Sequence, residues 1–207
     1  MKVLTEARRA AIVQAASQLF QEFGYEGASM NELATRLRGS KATLYRYFPS
    51  KEALFDAVVR ASSTSHLSQA VEDLQSHAEA SEHTQIRAAL QQFGETMLKV
   101  MVDSTQALAV YRMVVAEAGR SEVGELFYKA GPRDCIVALG LLLANAMARN
   151  ELRAGDPELG ALYFLGLVSA ETQIRLYQRN PPPLSAEDLS AMVARAVDMF
   201  MAGAAPR

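Results

Sequence analysis

Three observations together predict an all-α fold for this sequence. Apolar residues recur at three- and four-residue spacing along most of its 207 residues. No alternating run bounded by turn residues offers a strand. The breaks between periodic runs are made by Gly, Pro and Ser-led caps, which start and stop helices. The arrangement expected is an N-terminal three-helix domain over residues 1–60, with a helix–turn–helix at about 29–48, and a helical C-terminal domain over 61–207.

The first helix is expected from about Thr5 to Phe23, with Ile12, Ala16, Leu19 and Phe23 facing inward. Ser29 followed by Glu32 is a capping-box signature and starts the second. Met30, Leu33, Ala34 and Leu37 form its apolar face. Gly39 is expected to end it, since glycine tolerates the left-handed backbone of a C-terminal cap. Ser40 caps the third helix, where Leu44 and Phe48 lie one turn apart and point inward. The opposite face carries Ala42, Thr43, Arg46 and Tyr47, with Lys41 at its edge. Small, hydroxyl and cationic side chains on that face suit a DNA major groove and its phosphates. Pro49 stops this helix, and Ser50 can cap the next. Lys51 then stands in a first turn, where it opposes the helix dipole; a phosphate partner would supply the missing reason for it.

The fourth helix carries Leu54, Phe55, Val58 and Val59 inward and then meets Ser62-Ser63-Thr64-Ser65. Those poor helix formers mark either a domain boundary or an exposed stretch of helix. The polar segment Gln75–Thr84 reads as a loop, and its His77 and His83 as solvated, because no metal-ligand spacing surrounds them. Further helices are expected at 85–101, 103–118 (with Leu108, Tyr111, Val115 and Ala118 inward), 121–129, 132–150 and 157–179. Pro181-Pro182-Pro183 ends the last of these. Ser185 caps a final helix to about Ala202, with Asp188 in the capping-box position.

The helices at 132–150 and 157–179 are apolar nearly all round, so two of them side by side leave apolar surface over. A homodimer would bury it, and Leu141, Leu142, Leu162, Phe164, Leu165 and Val168 are the candidates; an intrachain core is the alternative for each. Phe93, Met97, Met101, Tyr111, Met113, Phe127 and Tyr128 suit a pocket for a small apolar effector, or a core. Glu117 and Asn145, polar in apolar surroundings, would orient such a ligand or be paired structurally.

The formal net charge of −2 hides an asymmetry. Residues 1–51 hold eight Lys/Arg against four Asp/Glu, and residues 52–207 hold thirteen against nineteen. A basic head on an acidic body is an electrostatic footprint for nucleic acid. The single cysteine, Cys135, forms no intrachain disulfide; beside an apolar run it reads as a buried inert thiol, with a redox trigger as the alternative. No apolar signal segment opens the chain, and Ile136–Ala144 and Ala161–Ala170 are shorter than the roughly 20 residues that span a bilayer. A cytoplasmic protein without membrane or cofactor is expected. No nucleophile–base pair, metal spacing or phosphate loop suggests an enzyme.

The run Ser40-Lys41-Ala42-Thr43-Leu44-Tyr45-Arg46-Tyr47-Phe48-Pro49-Ser50-Lys51-Glu52-Ala53-Leu54-Phe55 closely resembles the signature of the tetracycline-repressor (TetR) family. Ile12, Ala16, Phe20 and the Gly24-Tyr25 pair extend the resemblance over about residues 5–60. One departure stands out. Where the family has Gly-Val before the Ser40 position, this chain has Arg38-Gly39, so the turn glycine is shifted by one, an apolar plug is lost and a cation is added. The resemblance implies that Ser40, Lys41, Ala42, Thr43 and Tyr45 meet bases or nearby backbone of double-stranded DNA. It implies that Tyr47 and Lys51 clamp phosphates, and that Arg46 helps select sequence. The segments Met113–Ala118, Phe127–Pro132 and Phe164–Val168 resemble the C-terminal domain of an AefR-like subgroup. Together these imply a homodimeric, ligand-responsive regulator, most often a repressor, whose last long helices pair as a four-helix bundle. A helical interaction module without DNA specificity is the rival reading.

Overall fold

The structure, a computed structural model, describes residues 5–79, 86–103 and 105–206. Among these there are ten α-helices, one 3-10 helix and no strand. The helices are α1 (Glu6–Gly27), α2 (Met30–Arg36), α3 (Lys41–Tyr47), α4 (Lys51–Glu79), α5 (Ile86–Asp103), α6 (Thr105–Glu117), α7 (Val123–Ala130), α8 (Pro132–Ala148), α9 (Pro157–Ala170) and α10 (Ala186–Ala204), with the 3-10 helix at Gln173–Tyr177. They fall into two compact units. The first comprises Met1–Thr64 and Thr105–Gly131, and the second Ser65–Ser104 and Pro132–Arg207.

The first unit is more than its N-terminal helices. Its core joins Ile12, Leu19 and Phe20 of α1, Leu33 of α2, Leu44 of α3 and Leu54, Phe55 and Val58 of α4 to Val110, Met113 and Val114 of α6 and Val123 and Ala130 of α7. Phe20, Tyr25 and Phe55 form a ring cluster with centroids 5.1 to 5.7 Å apart. Helix α6 is tied to α1 near both of its own ends. At the start, Gln106 Nε2 donates to the buried Ser17 hydroxyl at 2.8 Å. At the finish, the Glu117 carboxylate accepts the Tyr25 N–H.

The second unit is built on α5, α8, α9 and α10, around Leu90, Phe93, Leu139, Leu142, Phe164, Val193, Val197 and Phe200, with Ala70 and Leu74 from the far end of α4. Phe164 sits between Phe93 and Phe200, at 6.5 and 5.4 Å between ring centroids. The Ser185–Asp188 capping box is complete: Ser185 Oγ accepts the Asp188 N–H and Asp188 Oδ2 accepts the Ser185 N–H, both at 3.0 Å.

Several expectations are corrected. Phe23 is 54% exposed, under the Arg36 guanidinium, because the α1 stripe turns through Phe20 rather than Phe23 before the helix breaks at Gly24. Val115 and Ala118 face outward, since Val110, Met113 and Val114 fill the core side of α6. Helix α4 runs unbroken through Ser62–Ser65 and on to Glu79, so the start of the polar 75–84 segment is helical, not loop. The remainder of that segment, His83 included, and the His77 side chain lie outside the described residues. The helix expected to reach Arg179 stops at Ala170. There Ser169 Oγ donates to the Leu165 carbonyl at 2.8 Å and Thr172 donates through both its N–H and its Oγ1 to the Ser169 carbonyl at 3.0 Å. Hydroxyls that offer the backbone such alternatives favour a helix end. The buried Arg175 then donates to the Pro182 carbonyl at 2.7 Å and folds the proline run back.

Candidate nucleic-acid interface

The helix–turn–helix is built by caps. Ser29 Oγ accepts the Glu32 N–H, Ser40 Oγ the Thr43 N–H and Ser50 Oγ the Ala53 N–H, each at 3.1 Å. Each bond satisfies an N–H that a helix start leaves without a backbone partner. The Glu32 carboxylate turns to Arg36 instead of completing the expected box.

The turn corrects the expectation for Gly39. Arg38, not Gly39, takes the left-handed position, with φ of 47°. The Gly39 N–H bonds the Ala34 carbonyl and the Arg38 N–H the Thr35 carbonyl, both at 3.0 Å, which is a Schellman cap with arginine in glycine's usual place. The helix therefore ends in a left-handed cap although its glycine is one position later. Gly39 instead makes room for a neighbour: Arg8 Nη2 lies 3.2 Å from where its Cβ would be and donates to the Leu37 carbonyl at 3.2 Å. The Arg8 guanidinium occupies the space next to the missing apolar plug. Arg8 carries no local sign of this role, because its partner lies 29 residues away, at the C-cap of α2.

Leu44 and Phe48 anchor α3 inside, as expected. Ser40, Lys41, Ala42, Tyr45 and Arg46 are exposed, and Thr43 and Tyr47 are half-buried. Thr43 Oγ1 lies 2.8 Å from Ser40 Oγ, so the two hydroxyls are held as a pair. The Lys41 ammonium stands 5.9 Å from the Tyr45 ring centroid. The Tyr47 hydroxyl accepts the Thr5 N–H at 3.1 Å and pins the start of α1 beside α3.

Lys51 finds its partners outside its own helix, in the turn after Gly24. Its ammonium lies 4.3 Å from the Tyr25 ring centroid and donates to the Glu26 carbonyl at 3.4 Å. These hold it at the unfavourable end of the α4 dipole. Burial first, and then the nearby Glu52 and Glu26 carboxylates, push the Tyr25 phenol above its ordinary value, so the ring under Lys51 is neutral.

Glu117 is not free to orient a ligand. Its two oxygens accept the Tyr25 N–H at 3.0 and 2.9 Å, and Oε2 also accepts the Glu26 N–H at 3.2 Å. A separation of 92 residues made this partnership invisible to periodicity.

The eight side chains expected to line a pocket divide between the units. Phe93 is in the core of the second, with half-buried Met97 and Asn145 in the same unit, while the Met101 side chain lies outside the described residues. Met113 is in the core of the first. Tyr111 and Phe127 there are half-buried with ring centroids 5.8 Å apart, and Tyr128 is exposed. None of the eight lines the second unit's apolar groove of about 930 Å³, which Leu159, Leu162, Tyr163, Gly166 and Met199 help to form.

The six residues expected at a dimer interface also separate. Leu142, Phe164 and Val168 are fully buried within the chain, each at most 1% exposed, and leave no face for a partner. They are core residues, because the inner side of α8 closes on α9, and α9 in turn on α10 and α5. Leu165 is partly buried against that core, whereas Leu141 and Leu162 are exposed. So are Val137, Leu159, Tyr163 and Met199, which the sequence did not single out.

Cys135 is buried, and that burial, with the Asp134 charge, pushes its thiol up to about 11. A protonated, covered thiol is a poor redox trigger. No single helix among the described residues is long and apolar enough to cross a membrane, and no three metal-ligating side chains among them converge.

Comparison with known proteins agrees with this construction. Residues 12–58 match the profile of bacterial regulatory proteins of the tetR family, and residues 88–203 match the C-terminal domain of AefR-like transcriptional repressors. The HTH-type transcriptional regulator RutR of Escherichia coli (strain K12) is 44% identical over 54 residues, which are 26% of either chain; the match thus spans about a quarter of that relative. A crystal structure of a TetR-family regulator from Mesorhizobium loti MAFF303099 superposes with a TM-score of 0.74 at 26% identity, covering 98% of this chain and 100% of that one. The flavonoid-responsive regulator FrrA superposes with a TM-score of 0.71 at 30% identity over the same shares. These matches cover both the helix–turn–helix and the helices beyond it, and the chain belongs to the TetR family of DNA-binding transcriptional regulators, which are not enzymes.

Proposed function

We propose that this regulator is a homodimeric cytoplasmic repressor, released from a palindromic operator by a small apolar effector. The observation that carries the reading is the exposed face of α3, held rigidly from behind by Leu44 and Phe48 and capped by Ser40. In this reading Ser40, Lys41, Ala42, Thr43, Tyr45 and Arg46 meet base edges and nearby backbone, and Tyr47 and Lys51 clamp phosphates. In this reading the N-terminal residues, to about 60, supply the DNA contacts, and dimerisation and effector binding fall to residues beyond them.

The unmatched apolar side chains of α8, α9 and α10 support pairing of two copies: Val137, Leu141, Leu159, Leu162, Tyr163 and Met199 are all exposed. Leu159, Leu162, Tyr163 and Met199 also line one groove, and exposed apolar area of that kind favours an interface. A dimer presents two α3 helices to half-sites about one helical turn apart or more, hence the palindrome. An effector that binds better to a dimer with another α3 spacing shifts the population off DNA by its differential affinity. Helix α4, which starts at Lys51 and supplies core residues to both units, is the transmitter we favour. The naming of FrrA as flavonoid-responsive supports an aromatic effector, and Tyr111 and Phe127 are our first candidates to contact it.

Selection of bound duplexes from a random DNA pool at fixed salt tests this. A recovered palindrome is the expected result, and Thr43→Ala should then change the preferred bases. Recovery of nothing above background would overturn the reading in favour of a helical interaction module.

A further inference from the structure

The Glu117 carboxylate closes a chain of contacts that ends on Lys51. Gly24 breaks α1 with φ of 72° and ψ of 175°, a conformation essentially reserved for glycine. The short turn after it begins with the N–H groups of Tyr25 and Glu26, which the break leaves without partners in the preceding helix. Glu117, from the last position of α6, accepts both. Its carboxylate stands where a side chain at position 24 would begin, so only glycine admits it. The same two residues hold Lys51 from their other sides, Tyr25 through its ring and Glu26 through its carbonyl.

We infer that Glu117 is a positioning residue for DNA binding. It fixes the Tyr25–Glu26 turn, and the turn fixes the Lys51 ammonium. A lysine in a first turn gains nothing from its own helix, and its long flexible stem needs an external hold to keep the ammonium in one place. Any shift of the end of α6 would release that hold without touching α3. The inference rests on Lys51 being a phosphate contact, as proposed above.

The test is a double-mutant cycle on the full chain, read as affinity at several salt concentrations. The probe is a random-sequence 30-base-pair duplex, because a phosphate contact needs no operator. Glu117→Gln keeps the side chain's size and one acceptor, so it is the first variant; Glu117→Ala is the second, and a thermal melt of each verifies the fold. Lys51→Ala should flatten the salt dependence by about one unit of slope. Glu117→Gln should flatten it in the same direction, and Glu117→Ala by as much as Lys51→Ala. The decisive result is that adding either Glu117 change to Lys51→Ala weakens binding no further. Additive losses, or an unchanged slope in the folded Glu117 variants, would overturn the inference and leave Lys51 as a phosphate contact. An unchanged slope in Lys51→Ala would remove both the Lys51 assignment and the positioning role. Absence of wild-type binding to any duplex would instead sink the DNA-binding reading on which both rest.

Discussion

The two units solve the problem of a helical core in opposite ways. The first closes its core with an aromatic cluster and then spends polar groups on its joints: three serine caps, Arg8 on the Leu37 carbonyl, Gln106 on Ser17 and Glu117 on the turn after Gly24. Its exposed α3 face is cationic and hydroxylated. The second unit is sealed by aliphatic and phenylalanine side chains on α5, α8, α9 and α10, and still has large apolar residues in contact with solvent. A unit that must read DNA needs its few side chains aimed, which directional hydrogen bonds do. The pairing with a second copy proposed above would need apolar area, which non-directional burial supplies.

The largest expected effect breaks the second core. Phe164→Ala removes a ring lodged between Phe93 and Phe200 and should cost about 3–5 kcal/mol in denaturant unfolding. A loss below about 1 kcal/mol would mean that the core is not organised around it. Next comes the first unit's joint. Gly24→Ala introduces a Cβ against the Glu117 carboxylate at a backbone angle only glycine tolerates. It should destabilise by about 2–3 kcal/mol, and an unchanged melting temperature would show that the joint is not as drawn.

Arg38→Gly should act in the opposite sense. It relieves left-handed strain on a non-glycine residue, partly offset by greater freedom in the unfolded chain, for a net gain of about 0.5–1 kcal/mol. A lower melting temperature would show that the arginine contributes more than the strain costs. The smallest effect on folding is expected from Leu162→Glu, although Leu162 lies only two residues from Phe164. Leu162 is 47% exposed and Phe164 is 0%. The charge should split a dimer into folded monomers in sedimentation, and an intact dimer would move the interface elsewhere.

The first unit was the more legible in the sequence, because its signals are local. Ser29, Ser40 and Ser50 act on backbone three residues away, and Leu44 and Phe48 sit one turn apart. What escaped are partnerships across the chain. Nothing near Glu117 announces the Tyr25 N–H, and nothing near Arg8 announces the Leu37 carbonyl. The assignment of Gly39 to the left-handed position failed because glycine only prefers that region; the Schellman bonds fixed the register, and Arg38 accepted the strain. In the second unit, helices apolar on most sides gave the sequence no means of telling the inner Leu142, Phe164 and Val168 from the outer Leu141 and Leu162. The inward assignment of Val115 failed likewise, since it and Val114 are equally apolar neighbours on α6 and only one faces the core.

The central claim is that α6 and α7 belong with the DNA-reading helices, although the family's C-terminal domain includes them. Native-state hydrogen exchange of the whole chain tests it most directly, because amides of one cooperative unit open together. Amides of α6 and α7 should share the opening free energy of α1 and the buried part of α3, and differ from those of α8 to α10. If they instead exchange with α8 to α10, the two cores are not divided as described.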